Sequence, residues 1–278
     1  YYVGQRIGDL WGFVVDGLFA TDEEAQDYQA NVLDALVLTG TGRMRGGFLG
    51  GDLRFVDLDD DHSGPGGINQ LSYGKNTVDD PGDRKILGNM LPSMQYGINV
   101  AFDWKGFDVS AFFQGTGNHY WYPAGMNIAF WGPYSYAYVT TFQPRDFMQR
   151  VWSEENPDAY YPRARGYSST GGELALVNSR YLQNVRYLRF KNLTVGYTIP
   201  KKLTNVIHVD KIRFYFSGEN LAYWSPIKKH TEYLDPESAY RRDDRINPNT
   251  GLYYNSDAKD AVAYPWQKTL MFGIDITF

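Results

Sequence analysis

Apolar and polar residues alternate with a period of two at several places along the chain, most clearly at its end. In residues 266–278, WQKTLMFGIDITF, the side chains of Leu270, Phe272, Ile274, Ile276 and Phe278 share one parity, while Thr269, Gly273, Asp275 and Thr277, with Met271, take the other. Successive side chains of a strand point to opposite faces, so this pattern predicts a strand with one apolar and one polar face. Residues 95–104 repeat it, with Tyr96, Ile98, Val100, Phe102 and Trp104 set against Gln95, Gly97, Asn99, Ala101 and Asp103. The alternation recurs with slips over residues 107–114, 192–199 and 211–223. It is weaker over 7–16, where Trp11, Phe13 and Val15 share a face. The expected fold class is all-β, with about six strands.

Long and short connections alternate between these strands: 77 residues before Met94, two at Lys105 and Gly106, about 70 before Arg186, 11 over residues 200–210 and 42 before Trp266. A soluble sandwich has no reason to gather its long loops at one end. Outer-membrane barrels do, with short periplasmic turns and long external loops. If the last strand descends to the periplasm, every long loop is external. Trp104, Phe107, Tyr197 and Phe278 then fall at the periplasmic ends, and Tyr223, Trp224 and Trp266 at the external ends, where amphipathic rings favour the interface. The same alternation suits the half-buried strands of a soluble protein, so a soluble, secreted all-β glycan-binding module is the competing reading. Six strands close no barrel by themselves, and an open sheet with a greasy face aggregates, so other strands are expected to complete it.

Composition narrows the choice. The 23 Tyr, 16 Phe, 7 Trp, 29 Gly and 13 Pro favour strands and turns. With 27 basic against 32 acidic side chains the net charge is -5, which argues against a nucleic-acid surface. The absence of cysteine excludes a disulfide framework, a thiolate zinc site and a cysteine nucleophile. The chain opens at Tyr1 with neither Met nor a signal peptide, which reads as a piece of something longer. Residues 109–144 carry no Asp, Glu, Lys or Arg, but Gly115, Gly117, Pro123, Gly132 and Pro133 rule out a membrane helix there. An enzyme is not expected. His62, His119, His208 and His230 are far apart, there is no H-E-x-x-H or G-x-S-x-G, and Gly40, Gly42 and Gly46 have the wrong interval for a nucleotide fingerprint. The sequon at Asn192 lies in a predicted strand.

Six stretches resemble the C-terminal region of SusC/RagA-type TonB-dependent transporters of the Bacteroidetes outer membrane. They are GDLRFVDLDDD from Gly51, DRKILGN from Asp83, KGFDVSAFFQGTGN from Lys105, YLRFKNLTVGYTIPKKL from Tyr187, FYFSGENLAYW from Phe214, and the strand ending at Phe278. Their order and separation also match that family. The resemblance implies the C-terminal portion of an antiparallel transmembrane barrel of about 22 strands, with a plug in its lumen and long loops at the cell surface. The plug, the N-terminal strands and the TonB-contacting segment are not recognisable in residues 1–278. It further implies an active importer of oligosaccharides or peptides, energised by the TonB complex through the absent plug and working with a SusD-like surface lipoprotein. The remaining strands of the transporter and outer-membrane lipid are further partners. Phe272, Ile274, Ile276 and Phe278 resemble the C-terminal signal read by the barrel-assembly machinery.

Two loops hold candidate site residues. Asp57, Asp59 and Asp61, with Asp60 beside them, present alternate carboxylates of the kind that oxygen-preferring calcium takes. Family members read close to D-x-N-G-D-G here, and this chain puts Asp60 and His62 where glycines sit. The other reading is a solvated turn whose Asp side chains cap their own backbone. Residues 118–138 are the most aromatic part of the chain. Trp121, Tyr122, Trp131, Tyr134 and Tyr136 are candidates to stack on a sugar or peptide, or else to form the loop's own core. Arg180, Arg186 and Arg189, and Arg241, Arg242 and Arg245 beside Asp243 and Asp244, read as anion or headgroup contacts or as salt-bridged loops. Arg213, Ser217 and Glu219 oppose Ile212, Phe214 and Phe216, which directs them to the lumen.

Overall fold

The structure is a computed structural model and describes residues 5–39, 44, 46–123, 125, 127–135, 145–231, 234–237, 239 and 267–278. They divide into two compact units, residues 1–91, 120–183 and 238–263 in one, and 92–119, 184–237 and 264–278 in the other.

The first unit holds short strands and much irregular chain. Strand β1 (Asp9–Phe13) is followed by β2 (Val15–Leu18), helix α1 (Asp22–Asn31), β3 (Leu53–Phe55) and β4 (Arg84–Asn89). β1 pairs antiparallel with β4, and β2 with β3. Helix α1 begins at Thr21, whose hydroxyl accepts from the Glu24 amide at 3.1 Å, and Asp22, Glu23 and Glu24 sit in its first turn, where negative charge meets the exposed amides. Two aromatic clusters make the core. In one, Phe13, Phe19, Phe48 and Phe55 pack edge to face or tilted, with Tyr28 against Phe19. In the other, Phe130, Trp131, Tyr134, Phe147, Tyr161 and Tyr181 form a continuous cluster, with Tyr161 stacked on Tyr134 and Tyr181 and the other pairs tilted or edge to face.

Residues 7–16 therefore do not form a barrel strand. β1 pairs within the first unit, where Leu87 of β4 is an extra residue opposite the step from Leu10 to Trp11, and it buries both Leu10 and Phe13. Leu10 and Phe13 have opposite parity, so β1 buries side chains on both of its faces instead of leaving one apolar face bare for lipid.

The second unit is one antiparallel sheet of five strands. These are β5 (Gln95–Trp104), β6 (Phe107–Thr116), β7 (Tyr187–Thr198), β8 (Lys211–Trp224) and β9 (Thr269–Thr277), in the order β9-β8-β7-β6-β5. Their lengths of 10, 10, 12, 14 and 9 residues suit a tilted crossing of a hydrocarbon layer, which takes about 9–11 residues. Lys105 and Gly106 join β5 to β6 with both φ angles positive, at 50° and 89°, the two-residue hairpin geometry that glycine permits. Between β7 and β8 lie a short helix α2 (Lys201–Thr204) and a 3-10 turn (Asn205–Ile207).

The register explains the slips in the alternation. Phe190 pairs with Phe113 and Ala222, whereas Asn192 pairs with Phe112 and Glu219, so Lys191 is an extra residue against β6. Opposite it, Asn220 adopts φ 53° and Leu221 completes a bulge in β8. Apolar parity changes across this point, from Leu193, Val195 and Tyr197 to Leu188 and Phe190, while all remain on one face. No helix among the described residues is long and apolar enough to cross a membrane.

Candidate functional site

The sheet offers two chemically opposite faces. On one, Phe102, Val109, Val195, Phe216 and Phe272 follow each other across all five strands in register. Trp104, Phe107, Tyr197, Phe214 and Ile274 form the next row. Ile98, Val100, Phe102, Phe214, Phe272 and Ile274 are exposed, Phe272 to 83%. On the other face, Asp103, Asp108, Gly196, Tyr215 and Gly273 form one row, and Ala101, Ser110, Thr194, Ser217 and Met271 another. Arg213, Ser217 and Glu219 lie on this polar face, as the alternation predicts. Arg213 grips Asp108 through Nε at 2.9 Å and Nη2 at 2.5 Å, and reaches Asp275 at 3.2 Å. Phe272, Ile274 and Ile276 all stand exposed on β9, with Phe278 just beyond it at the chain end.

The acidic loop gathers a different trio from the one expected. Carboxylate oxygens of Asp57, Asp59 and Asp83 lie within 4.8 Å of one another. Asp61 is turned away, accepting from the amides of Ser63 at 3.2 Å and Gln70 at 3.3 Å. Asp60 and His62 both adopt left-handed backbone, φ 50° and 47°, at the two positions where the family pattern has glycine. Asp57 ties the turn by accepting from the Asp60 amide at 3.1 Å and from the Asn69 side-chain amide. Asp83 is fully buried and accepts from the amides of Leu58 and Ser72, both at 2.8 Å. Burial, helped by the Asp59 charge and the Asp57 carboxyl, outweighs those two bonds and pushes its pKa up to about 6. Three converging carboxyls are suited to a hard cation with oxygen ligands. No spacing rule in the sequence pairs Asp83 with residues 57–59.

The aromatic candidates are interior. Trp121, Tyr122, Trp131 and Tyr134 are all buried, Trp131 completely. Their polar atoms serve the loop itself: Tyr122 donates to the Leu174 carbonyl at 2.9 Å, Trp131 to Pro123 at 3.2 Å and Tyr134 to Pro162 at 2.6 Å. The self-packed core is thus the arrangement found, because their ring faces are covered by Phe130, Phe147, Tyr161 and Tyr181. Tyr136 lies outside the described residues, as do Arg241, Arg242, Arg245, Asp243, Asp244 and Trp266.

The remaining arginines are also engaged internally. Arg180 donates to the carbonyls of Ala159 and Tyr160, and Arg186 to Asn118. Arg189 is buried, with Asp235 and Glu237 on its guanidinium and the rings of Tyr187 and Tyr223 beside it.

One charged cluster has no signal in the sequence. Arg165 forks onto the buried Asp52 at 2.8 and 2.6 Å. Close by, the buried Glu173 accepts from the Leu53 amide at 2.8 Å, and its other oxygen has no hydrogen-bond partner among the described residues. Burial, with the Asp52 charge, holds the Glu173 carboxyl well above the usual carboxylate range.

Comparison with known proteins follows the same lines. No family model matches the chain. It is 27% identical over 279 residues to TonB-dependent receptor P3 of Formosa agariphila, covering 99% of this chain and 22% of that protein. It is 28% identical over 196 residues to TonB-dependent receptor P26 of the same organism, covering 70% of this chain and 18% of that one. The chain thus spans about a fifth of the length of these relatives. Among solved structures it resembles the RagAB peptide importer in its open-open state, with a TM-score of 0.53 and 17% identity over 97% of this chain and 22% of that one. A second structure of the RagAB peptide transporter gives a TM-score of 0.53 and 16% identity, over 97% and 23% of the two chains. At such identities the structural likeness speaks for the fold, which is that of a segment of the RagAB importer, while in sequence the chain is similar over nearly its whole length to part of a TonB-dependent receptor.

Proposed function

We propose that the five strands are part of the wall of an outer-membrane barrel, and that the first unit is built from its external loops. The whole imports oligopeptides or oligosaccharides, draws its energy from TonB through a plug, and closes over its cargo with a SusD-like lipoprotein. The observation that carries this reading is the sheet: five adjacent strands, each long enough to cross a hydrocarbon layer, bare and apolar on one face and polar on the other. In a soluble sandwich that apolar face would be covered by a second sheet. The soluble glycan-binding alternative also loses its platform, since the described aromatic candidates are buried. This chain supplies wall and loop and carries out no covalent chemistry.

The test is uptake by cells expressing the full transporter with its lipoprotein. Labelled oligopeptides and oligosaccharides should accumulate only while the proton gradient is intact, and deletion of the TonB-contacting segment should abolish uptake while surface binding persists. Accumulation that ignores both treatments, or recovery of the protein in the soluble fraction, refutes it.

A further inference from the structure

We propose that the connection between β7 and β8 is a membrane-surface anchor, which lays Leu203, Val206 and Ile207 into the phospholipid monolayer at the periplasmic end of the wall. The proposal rests on the reading of the sheet as a barrel wall.

The connection is ordered rather than slack. α2 and the 3-10 turn run on consecutively, Thr204 is buried, and the Val209 amide returns to its carbonyl at 3.2 Å. His208 takes left-handed backbone to end the turn, and the Asp210 amide bonds the Thr277 carbonyl of β9 at 2.9 Å. The segment is thereby fixed to the strand ends.

On this fixed turn the apolar residues follow helical spacing. Leu203, Val206 and Ile207 stand at i, i+3 and i+4, which puts them on one side. All three are exposed, Val206 to 77%. A folded turn that presents three neighbouring aliphatic side chains implies a covering partner. Charge points to which one. Residues 199–211 contain Lys201, Lys202 and Lys211 against the single acid Asp210, a local excess of two positive charges in a chain whose net charge is -5. Lysine stems lie along apolar surface while their ammonium groups seek anionic headgroups. The neighbouring strand ends carry the apolar face right up to the turn, with Phe107 packed on Tyr197 at 4.6 Å and Phe214 paired with Tyr197. The apolar band of the wall thus continues into the turn, as expected of a short amphipathic segment lying in the interface.

Spin labels test this on the full transporter in its complex, carrying one engineered cysteine at a time. This chain contributes none of its own. The preparation is reconstituted in phosphatidylethanolamine–phosphatidylglycerol liposomes. Labels at Leu203→Cys and Val206→Cys should collide with dissolved oxygen at least twofold more, relative to an aqueous nickel chelate, than a label at Asn205→Cys on the opposite side of the turn. Equal nickel access at all three positions overturns the proposal, and so does a label shielded from both reagents, which would mean that a protein covers the turn. Ile274→Cys on the sheet separates the two readings. Lipid exposure there with an aqueous Val206 sinks the anchor alone, whereas aqueous access at both sinks the wall as well.

Discussion

Arg213 and Asp108 are joined across a strand that lies between them. Arg213 belongs to β8 and Asp108 to β6, and β7 separates the two, yet the guanidinium holds both carboxylate oxygens. Gly196 of β7 makes this possible. A Cβ there would come within 2.5 Å of both the Arg213 Nη2 and the Asp108 Oδ1. With the further contact to Asp275 of β9, one side chain of β8 bonds β6 and β9 and crosses β7 between them on the polar face.

Gly196→Ala should therefore act like loss of the ion pair itself. Arg213→Ala and Gly196→Ala are each expected to destabilise the refolded barrel by about 1.5 to 3 kcal/mol, the range for hydrogen bonds to charged groups. The double variant should fall well short of the sum, because both substitutions remove one interaction. Denaturant unfolding of the full barrel in detergent reads this, and simple additivity would show that Gly196 does not serve the bridge.

Adjacent residues of β5 should respond in opposite ways to the same charge. Val100 stands on the apolar face and Asn99 on the polar one. Arginine on a lipid face at mid-membrane costs about 2–4 kcal/mol, while lumen positions accept charge. Val100→Arg should cut the amount of folded transporter recovered from outer membranes several-fold, and Asn99→Arg should leave it near the parent level. Similar yields for both would contradict the assignment of the faces.

These faces were readable from alternation alone, since period two is imposed by backbone geometry and five of the six expected strands form the sheet. The sixth failed because three apolar residues of one parity, Trp11, Phe13 and Val15, cannot distinguish a lipid-facing strand from one packed into a loop core. Aromatic clustering over residues 118–138 carried the same ambiguity: rings that stack on a ligand and rings that stack on each other have identical composition. The acidic loop was half legible. Residues 57 and 59 announce themselves by spacing, but Asp83 joins them only through tertiary folding, as do Arg165 and Glu173 with Asp52.

Calcium should stiffen the acidic loop if the trio of Asp57, Asp59 and Asp83 is a cation seat. Limited proteolysis of the full transporter, with the fragments mapped to residues 57–67, is expected to slow several-fold in millimolar calcium and to recover with chelator. Asp59→Asn, which removes one ligand charge and leaves the two amide bonds to the buried Asp83 in place, should remove most of the protection. Cleavage rates indifferent to calcium would assign the loop to self-capping alone.

The buried pair of Asp52 and Glu173 shares the guanidinium of Arg165, which hydrogen-bonds Asp52 rather than Glu173, so the Glu173 carboxyl does best to stay protonated. Glu173 is the one whose pKa in the fold lies well above its unfolded value, burial being the main cause. The sign follows from linkage. Between those two values the folded state holds a proton that the unfolded state has released, so stability falls as pH rises. The contribution of Glu173 is complete below the ordinary glutamate pKa near 4.5 and is lost as pH climbs through the folded value. Glu173→Gln keeps a carbonyl oxygen for the Leu53 amide and cannot ionise. Hydrogen exchange at the Leu53 amide should therefore be the same in parent and variant at pH 4.5, and at pH 8, after correction for intrinsic exchange rate, about tenfold or more slower in the variant, a factor of ten being about 1.4 kcal/mol. Matching exchange at both pH values would mean that Glu173 carries its charge at no cost, with Arg165 serving both carboxylates.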